Sequence, residues 1–333
     1  MRSSKKKKEE DLDDKTTTYK DLIYESVSDY GRLINRTQVG YRKLDISNKG
    51  LEHINNNIAL VKCIQYLDVS NNQIDQIAQL LQLEFLQVLN ISNNKVKNIN
   101  WIEEEEKMSK LVILNASNNK FVELPALKLK KIEQLDLSSN SITKVDKFEG
   151  NQTIKMLNLG DNKIKALNFL KEMPKLEVLN LRDNDITILQ GYADLPKLRK
   201  LNLFGNKIAK FEEGPTDLTS LESLNIGANK INSYDDIIKL FAFSKLSRLN
   251  LLENPIDIDG DKYFMVEMLV MNPKLKRVNK VDITNTELKE AKLLAEMKWK
   301  RQEDARKHKE LEDKQKEEET LKKEQESQNK EAS

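Results

Sequence analysis

From Tyr41 to Ile256 the aliphatic residues recur in one fixed figure: aliphatic side chains at the first, fourth, sixth and eleventh places and an asparagine at the ninth. One copy reads Leu176, Leu179, Leu181, Asn184, Ile186, and the next reads Leu198, Leu201, Leu203, Asn206, Ile208. The asparagines set the period. Asn72, Asn94, Asn119, Asn140, Asn162, Asn184, Asn206, Asn229 and Asn254 follow one another at spacings of 22, 25, 21, 22, 22, 22, 23 and 25 residues. An earlier copy, with Tyr41, Leu44, Ile46 and Leu51, carries Lys49 where the asparagine belongs, as a divergent terminal repeat does. Nine copies in phase mark a repeat architecture rather than chance.

The spacing dictates the local structure. Around the second and third aliphatics, apolar and polar residues alternate, which predicts a short strand with its leucines pointing inward. A buried asparagine after the strand can bond the backbone groups that a sharp turn leaves open, and stacking the repeats makes a ladder of such asparagines. The second apolar pair, such as Ile186 and Leu189, closes the core from the other side. With about 22 residues per repeat, that return segment has room only for a 3₁₀ or short helical turn. The 25-residue repeats have more, and Ser233–Phe243 predicts an amphipathic helical turn. The expected fold is an α/β solenoid, a leucine-rich-repeat horseshoe of about ten short repeats over residues 41–257, with its strands on the concave side.

The exposed ends of such a stack need covering. Tyr19, Leu22, Ile23, Val27, Tyr30, Leu33 and Ile34 fall at helical spacing, which predicts a capping helix over Tyr19–Ile34 within a cap of residues 19–40. Downstream, Tyr263, Val266, Leu269, Leu275, Val278 and Ile283 predict a second cap over residues 258–284. Residues 285–333 carry 13 Lys/Arg and 14 Asp/Glu, with a weak apolar stripe of Leu288, Ala291, Ala295 and Trp299. No heptad pattern persists there, so a solvated, charged helix held by i,i+4 pairs is expected, with docking of the stripe on a partner as the sharper alternative. Residues 1–18 are expected to form a disordered, charged tail. Lys5–Lys8 reads as part of it rather than as an import signal, because acidic residues follow at once.

Composition changes this picture little, except by exclusion. Charged residues make up 33% of the 333 and aromatics 6%, so the core must be aliphatic. A net charge of +2 gives no global field for nucleic acid or an anionic membrane. Cys63 is the single cysteine, so no intrachain disulfide can form, and it is expected to be a small buried hydrophobe. Met1–Lys15 has no apolar core of a secretory signal, and no apolar run is long enough to span a membrane. The two histidines, His53 and His308, have no partner at ligand or triad spacing, and the glycines form no phosphate-cradling loop. No enzyme, cofactor, metal or small-molecule substrate is expected; the partners are other proteins.

Function is therefore expected on the outward face of the strands. The position between the second and third leucines is polar throughout, Asp68, Asn90, Asn115, Asp136, Asn158, Asn180, Asn202, Asn225 and Asn250, and reads as solvated strand surface. The position before the second leucine gives Tyr66, Val88, Ile113, Gln134, Met156 and Val178, then Lys200, Ser223 and Arg248. The position after the third leucine runs Ser70, Ser92, Ser117, Ser138, then Gly160, Arg182, Phe204, Gly227 and Leu252. The glycines there sit where a turn is expected. Apolar side chains in two adjacent rows make a candidate binding patch of Tyr66, Val88, Ile113, Met156, Val178, Arg182, Phe204 and Leu252. Arg182 and Phe204 are the expected anchors, because arginine and aromatic residues dominate hot spots.

The order of the irregular parts carries a resemblance. The segment DLIYESVSDYGRL before the repeats, the first repeat YRKLDISNKGLEHI without its asparagine, LEVLNLRDNDI, the cap sequence MLVMNPKLKRVNK and the charged tail are similar to the leucine-rich repeat-containing protein 23 family. That resemblance covers about Tyr19–Arg306 and implies a non-catalytic structural adaptor of the third radial spoke in the axoneme of motile cilia, with other spoke proteins as partners. The family's acidic N-terminal extension is matched only by the short, mixed-charge Met1–Lys15. The C-terminal cap also resembles that of the phosphatase-regulator type of leucine-rich protein, with Asn279 near the place of its aspartate; this implies a phosphatase scaffold or a nuclear, spliceosomal adaptor as alternatives. The phosphatase regulators usually have a more acidic and aromatic concave face than this one. Axonemal dynein light chains share the short repeats but are smaller and lack the tail.

Overall fold

The computed structural model describes residues 19–33, 39–98, 100, 108–188, 195–211, 218–240, 243–256 and 262–331, with the backbone alone described at 238, 262, 263 and 309–331. The predicted tail of residues 1–18, Leu189 and the first residues of the predicted C-terminal cap lie outside them. Two compact units are present. The first holds everything up to Asp257 plus Lys276–Val281, and the second holds Ile258–Leu275 and Asp282 onward.

The first unit is the predicted solenoid. After a helix over residues 19–26 (α1), the described strands form one thirteen-stranded sheet in strict chain order. They are β1 (Val27–Arg32), β2 (Val39–Asp45), β3 (Tyr66–Asp68), β4 (Val88–Asn90), β5 (Ile113–Asn115), β6 (Gln134–Asp136), β7 (Met156–Asn158), β8 (Val178–Asn180), β9 (Lys200–Asn202), β10 (Ser223–Asn225), β11 (Arg248–Asn250), β12 (Arg277–Val278) and β13 (Val281–Asp282). From β2 to β12 each strand pairs in parallel with the next. The register places the second leucines side by side, as in Leu157 with Leu179 and Leu179 with Leu201. Leu44, Leu67, Leu89, Leu114, Leu135, Leu157, Leu179, Leu201, Leu224 and Leu249 are all buried, and so are the third aliphatics from Ile46 to Leu251. Burying each such side chain contributes about 1.5–3 kcal/mol, so the repeated aliphatics supply the driving force.

The asparagine ladder is as the spacing predicts. The Asn94 amide donates to the carbonyls of Val69 at 3.0 Å, Ile91 at 3.1 Å and Ser92 at 3.1 Å, and its Oδ1 accepts from the Ile74 backbone at 3.0 Å. Asn72, Asn119, Asn162, Asn184, Asn206 and Asn229 repeat this set. Each therefore ties its own turn to the preceding repeat. Asn279, outside the nine, also joins the stack: its Oδ1 accepts from Leu251 at 2.8 Å and its N–H donates to the Leu249 carbonyl at 3.0 Å.

The return segments are short, as expected. Asn56–Val61 and Ala78–Gln82 are 3₁₀ turns, the first capped by the Asn55 side chain. Tyr234–Lys239 is a single-turn helix (α2) within the predicted Ser233–Phe243. In the return of Pro125–Lys131, the buried Asn151 donates to the Leu127 and Leu129 carbonyls at 3.3 and 3.0 Å. Gly150 beside it has φ +92°, and a Cβ there would lie 2.0 Å from the Lys171 carbonyl oxygen, so only glycine fits.

The predicted N-terminal helix over Tyr19–Ile34 is corrected. The helix ends at residue 26, and Val27–Arg32 is a strand antiparallel to β2, with Val27 opposite Leu44 and Tyr30 opposite Tyr41. The reason lies in β2, the terminal strand of the parallel stack. Its outer edge would otherwise present a row of unpaired backbone groups, and β1 satisfies them. Tyr30 and Tyr41 meet edge to face at 5.3 Å, and Arg42 bonds Asp29 at 2.6 Å. Cys63 is corrected too: it is half-buried rather than buried.

In the second unit, Lys262–Met271 (α3) packs on Asn285–Glu331 (α4), and Lys298 of α4 pairs with Glu267 of α3. α4 begins with a capping box. The Glu287 N–H donates to the Thr284 hydroxyl at 3.3 Å, and the Thr284 N–H donates back to the Glu287 carboxylate at 2.7 Å.

Candidate protein-binding face

Every strand from β3 to β11 turns one central residue into the core and its two flanking residues outward, as strand alternation requires. The predicted row Tyr66, Val88, Ile113, Gln134, Met156, Val178 is therefore one continuous line of register partners. Tyr66, Val88, Ile113 and Val178 are half-buried, while Met156 is 44% exposed. Ile113, Gln134, Met156 and Val178 line an open depression of about 430 Å³. At the N-terminal end, the Lys43 ammonium sits 4.9 Å from the centre of the Tyr66 ring.

The polar row is structural, in a way that composition alone conceals. The side chain of each residue accepts from the backbone N–H two residues on: Asp68 from Ser70 at 2.9 Å, Asn180 from Arg182 at 3.2 Å, Asn202 from Phe204 at 3.2 Å. Neighbours also bond across strands, Asn90 to Asp68 at 2.9 Å, Asn158 to Asp136 at 2.8 Å, Asn180 to Asn158 at 2.8 Å and Asn250 to Asn225 at 2.8 Å. These are Asx turns joined into a second ladder, and the Asx-x-Ser spacing in the sequence was the signal for it. At its N-terminal end burial raises the Asp45 pKa, but hydrogen bonds from Ser47 and the Lys43 charge outweigh that and hold it below the usual carboxylate range.

The third row behaves differently from the expectation. Gly160 and Gly227 are not needed for turn geometry: neither has a positive φ, whereas Gly205, just after Phe204, does, at +70°. Gly160 and Gly227 instead make room. A Cβ on Gly160 would meet Arg182 Cγ at 2.9 Å, and one on Gly227 would meet the Phe204 ring at 3.0 Å. The stem of Arg182 and the ring of Phe204 thus lie over neighbouring glycines. Arg182 is exposed and pairs with Asp183 at 2.8 Å, whereas Phe204 and Leu252 are half-buried. The two rows lie on the same face, one on each side of the polar row; of the predicted patch residues, Met156 and Arg182 are the exposed ones.

The tail stripe does not stay together as one exposed surface. Ala291 is buried and Leu288 and Ala295 are half-buried, in the unit where α4 packs on α3, and Trp299 alone of the four is fully open at 62% exposure. Leu293 and Met297, one turn apart and both exposed, were not singled out by the periodicity. Among the described residues no group of three or more His, Cys, Asp or Glu could hold a metal ion, and no helix is long and apolar enough to cross a membrane. His53 is surface-exposed and lies 3.6 Å from Asp75.

The fold is that of leucine-rich-repeat proteins. Leucine-rich-repeat sequence families match residues 130–186 and, as two-copy repeats, residues 174–219 and 196–239. A leucine-rich-repeat protein of Leptospira interrogans is 25% identical with a TM-score of 0.60, over 71% of this chain and 60% of that one. The toll-like receptor chain of a TLR13–ssRNA13 complex is 25% identical with a TM-score of 0.58, over 72% of this chain and 40% of its own. The LRIM1/APL1C complex contributes a fold match with a TM-score of 0.54 at 21% identity, over 64% of this chain and 39% of that one. The chain thus spans 60% or less of the length of these solved proteins. Comparison with curated protein sequences gave no significant match. Leucine-rich-repeat folds are in general non-catalytic scaffolds for protein–protein interaction, and no enzymatic family is indicated.

Proposed function

We propose that this chain is a non-catalytic adaptor that binds other proteins through the outward face of its strands, and that it does so in the axoneme of motile cilia, as a component of a radial spoke. The binding-face reading rests on one observation: a register line of outward side chains that is apolar except at Gln134, with Met156 44% exposed, beside a polar row of Asp and Asn. Support for the cilium comes from the sequence resemblance. A nucleic-acid partner is disfavoured, because a net charge of +2 gives no global field for nucleic acid.

Affinity purification of the tagged chain from ciliated cells, read by mass spectrometry, tests both parts. Spoke components are expected in the eluate, and Met156→Glu is expected to lower their capture about ten-fold without moving the thermal melt. Cryo-electron tomography of axonemes from a deletion strain is expected to show one spoke type missing or weakened. Intact spokes of every type would end the spoke assignment. Phosphatase subunits in the eluate instead would shift it to a phosphatase scaffold.

A further inference from the structure

We infer that this chain is built to fold where no N-linked glycan is attached, on the cytosolic side of a cell's membranes, because its own hydrogen bonds occupy an amide that such a glycan would take. The inference stands apart from the adaptor reading and holds whatever the partner is.

The acceptor sequence for an N-linked glycan is Asn-x-Ser/Thr, with x other than proline. It occurs at Asn35, Asn90, Asn115 and Asn151, of which Asn35 lies outside the described residues. At Asn90 and Asn115 the acceptor sequence is a by-product of the Asx turns. Asn90 accepts from the Ser92 N–H at 3.1 Å, and Asn115 accepts from the Ser117 N–H at 3.1 Å and its hydroxyl at 2.8 Å. Asp68 and Asp136 make the same turn with Ser70 and Ser138 without creating an acceptor.

Asn151 carries the argument. It is buried, and its amide donates to the Leu127 carbonyl at 3.3 Å and the Leu129 carbonyl at 3.0 Å, which uses both hydrogens. Its Oδ1 accepts from the Thr153 N–H at 2.9 Å and the Ile154 N–H at 3.1 Å. Glycosylation bonds Nδ2 to the anomeric carbon of a lipid-linked oligosaccharide, breaks that carbon's bond to the lipid diphosphate and releases one Nδ2 proton. The modified amide keeps one hydrogen, so one of the two carbonyls loses its donor, and a sugar has to stand where the return segment packs. An open depression of about 450 Å³ lies beside Asn151, but a sugar reaching it must still displace a carbonyl from one amide hydrogen. Glycan transfer requires an extended acceptor segment, so it precedes folding, and burial in the finished fold gives Asn151 no protection. Asn90 and Asn115 are register partners on adjacent strands, so glycans there would stand on the candidate binding face beside Val88 and Ile113.

The full chain behind a cleavable secretory signal, translated in a cell-free system with rough microsomes, tests this. A second arm adds an excess of an acceptor tripeptide, which competes for glycan transfer and leaves the chain unmodified in the same lumen. Limited proteolysis after detergent release reads the fold, and a glycosidase-sensitive gel shift counts the glycans. The unmodified chain is expected to keep a protease-resistant solenoid. Asn35→Gln with Ser92→Ala and Ser117→Ala leaves Asn151 as the one acceptor, and this variant is expected to be cut at least ~10-fold faster with its glycan than without it. Should those substitutions unfold the unmodified variant, the glycoforms of the unsubstituted chain give the same comparison, with the form carrying all four glycans cut fastest. Equal resistance of modified and unmodified forms, or a translocated chain that folds with Asn151 left bare while transfer is active, would overturn the inference.

Discussion

At the residue scale, two polar positions per repeat do different work. The ladder asparagine holds four backbone groups, and replacing Asn162 or Asn184 by alanine is expected to destabilise the fold by about 1–3 kcal/mol, read in a thermal or denaturant melt. The residue just before it is held in the left-handed region: Asn71, Asn93, Asn118, Ser139, Asp161, Asp183, Ala228 and Glu253 have φ between +51° and +61°. Ala228 has no side-chain bond to offset that strain, so Ala228→Gly is expected to stabilise by about 0.5–1 kcal/mol, whereas Gly205→Ala should destabilise. The second change is worse for a further reason, because a Cβ on Gly205 would lie 2.1 Å from the Asp183 carboxylate. Tyr19 supplies a pH signature. Burial pushes its hydroxyl from 10 up to about 12, against a smaller opposing effect of the Asn55 backbone. The folded state therefore keeps a proton that the unfolded chain loses above pH 10, so stability is full below pH 10 and falls as pH rises towards 12. Tyr19→Phe is expected to flatten the melt's pH dependence between these values; an identical profile would remove Tyr19 as its source. The asparagine period was plain in the sequence. The left-handed position was not, since asparagine, serine, aspartate, glycine, alanine and glutamate all occupy it.

At the element scale, the strands and short returns follow from local pattern, and the N-terminal element does not. Val27, Tyr30, Leu33 and Ile34 suit a helical face, but Val27 and Tyr30 also suit a strand, and the edge of β2 decides between them. A double-mutant cycle on Tyr30→Ala and Tyr41→Ala is expected to give a coupling of about 0.5–1 kcal/mol, the value of an aromatic cross-strand pair. A helix continuing to Ile34 would take Tyr30 out of this strand pairing and leave no such coupling. A chain beginning at Val39 should self-associate on gel filtration, because the β2 edge is then open. For a similar reason, periodicity located Leu288, Ala291 and Ala295 and, before them, Tyr263, Val266 and Leu269, but not that α4 packs on α3, where Ala291 is covered within the chain itself.

At the scale of the whole molecule, a stack in which each repeat meets only its neighbours is most sensitive at its ends. Truncation after Asp304 is expected to leave the melt nearly unchanged, because the solenoid lies upstream. Truncation after Ile256 removes β12 and Asn279, which opens the β11 edge and orphans the Leu251 N–H. Aggregation by light scattering is the expected outcome, and a chain that stayed monomeric and fully folded would show that this strand does not protect the end. What the sequence determined by itself was the repeat, its period, the inward leucines, the asparagine ladder and the outward rows, because each depends on neighbours fixed by strand alternation and a constant spacing. What only the tertiary structure decided was the fate of elements without a repeat partner and the close contacts of side chains on neighbouring repeats. The terminal edge of β2 drew Val27–Arg32 out of a helix, and stacking of adjacent repeats set Phe204 over Gly227 and Arg182 over Gly160. Register placed Arg248 against Arg277. The β1 pairs join residues 7 to 17 positions apart and Arg248 meets Arg277 across 29, spacings that lie outside the repeat period of about 22.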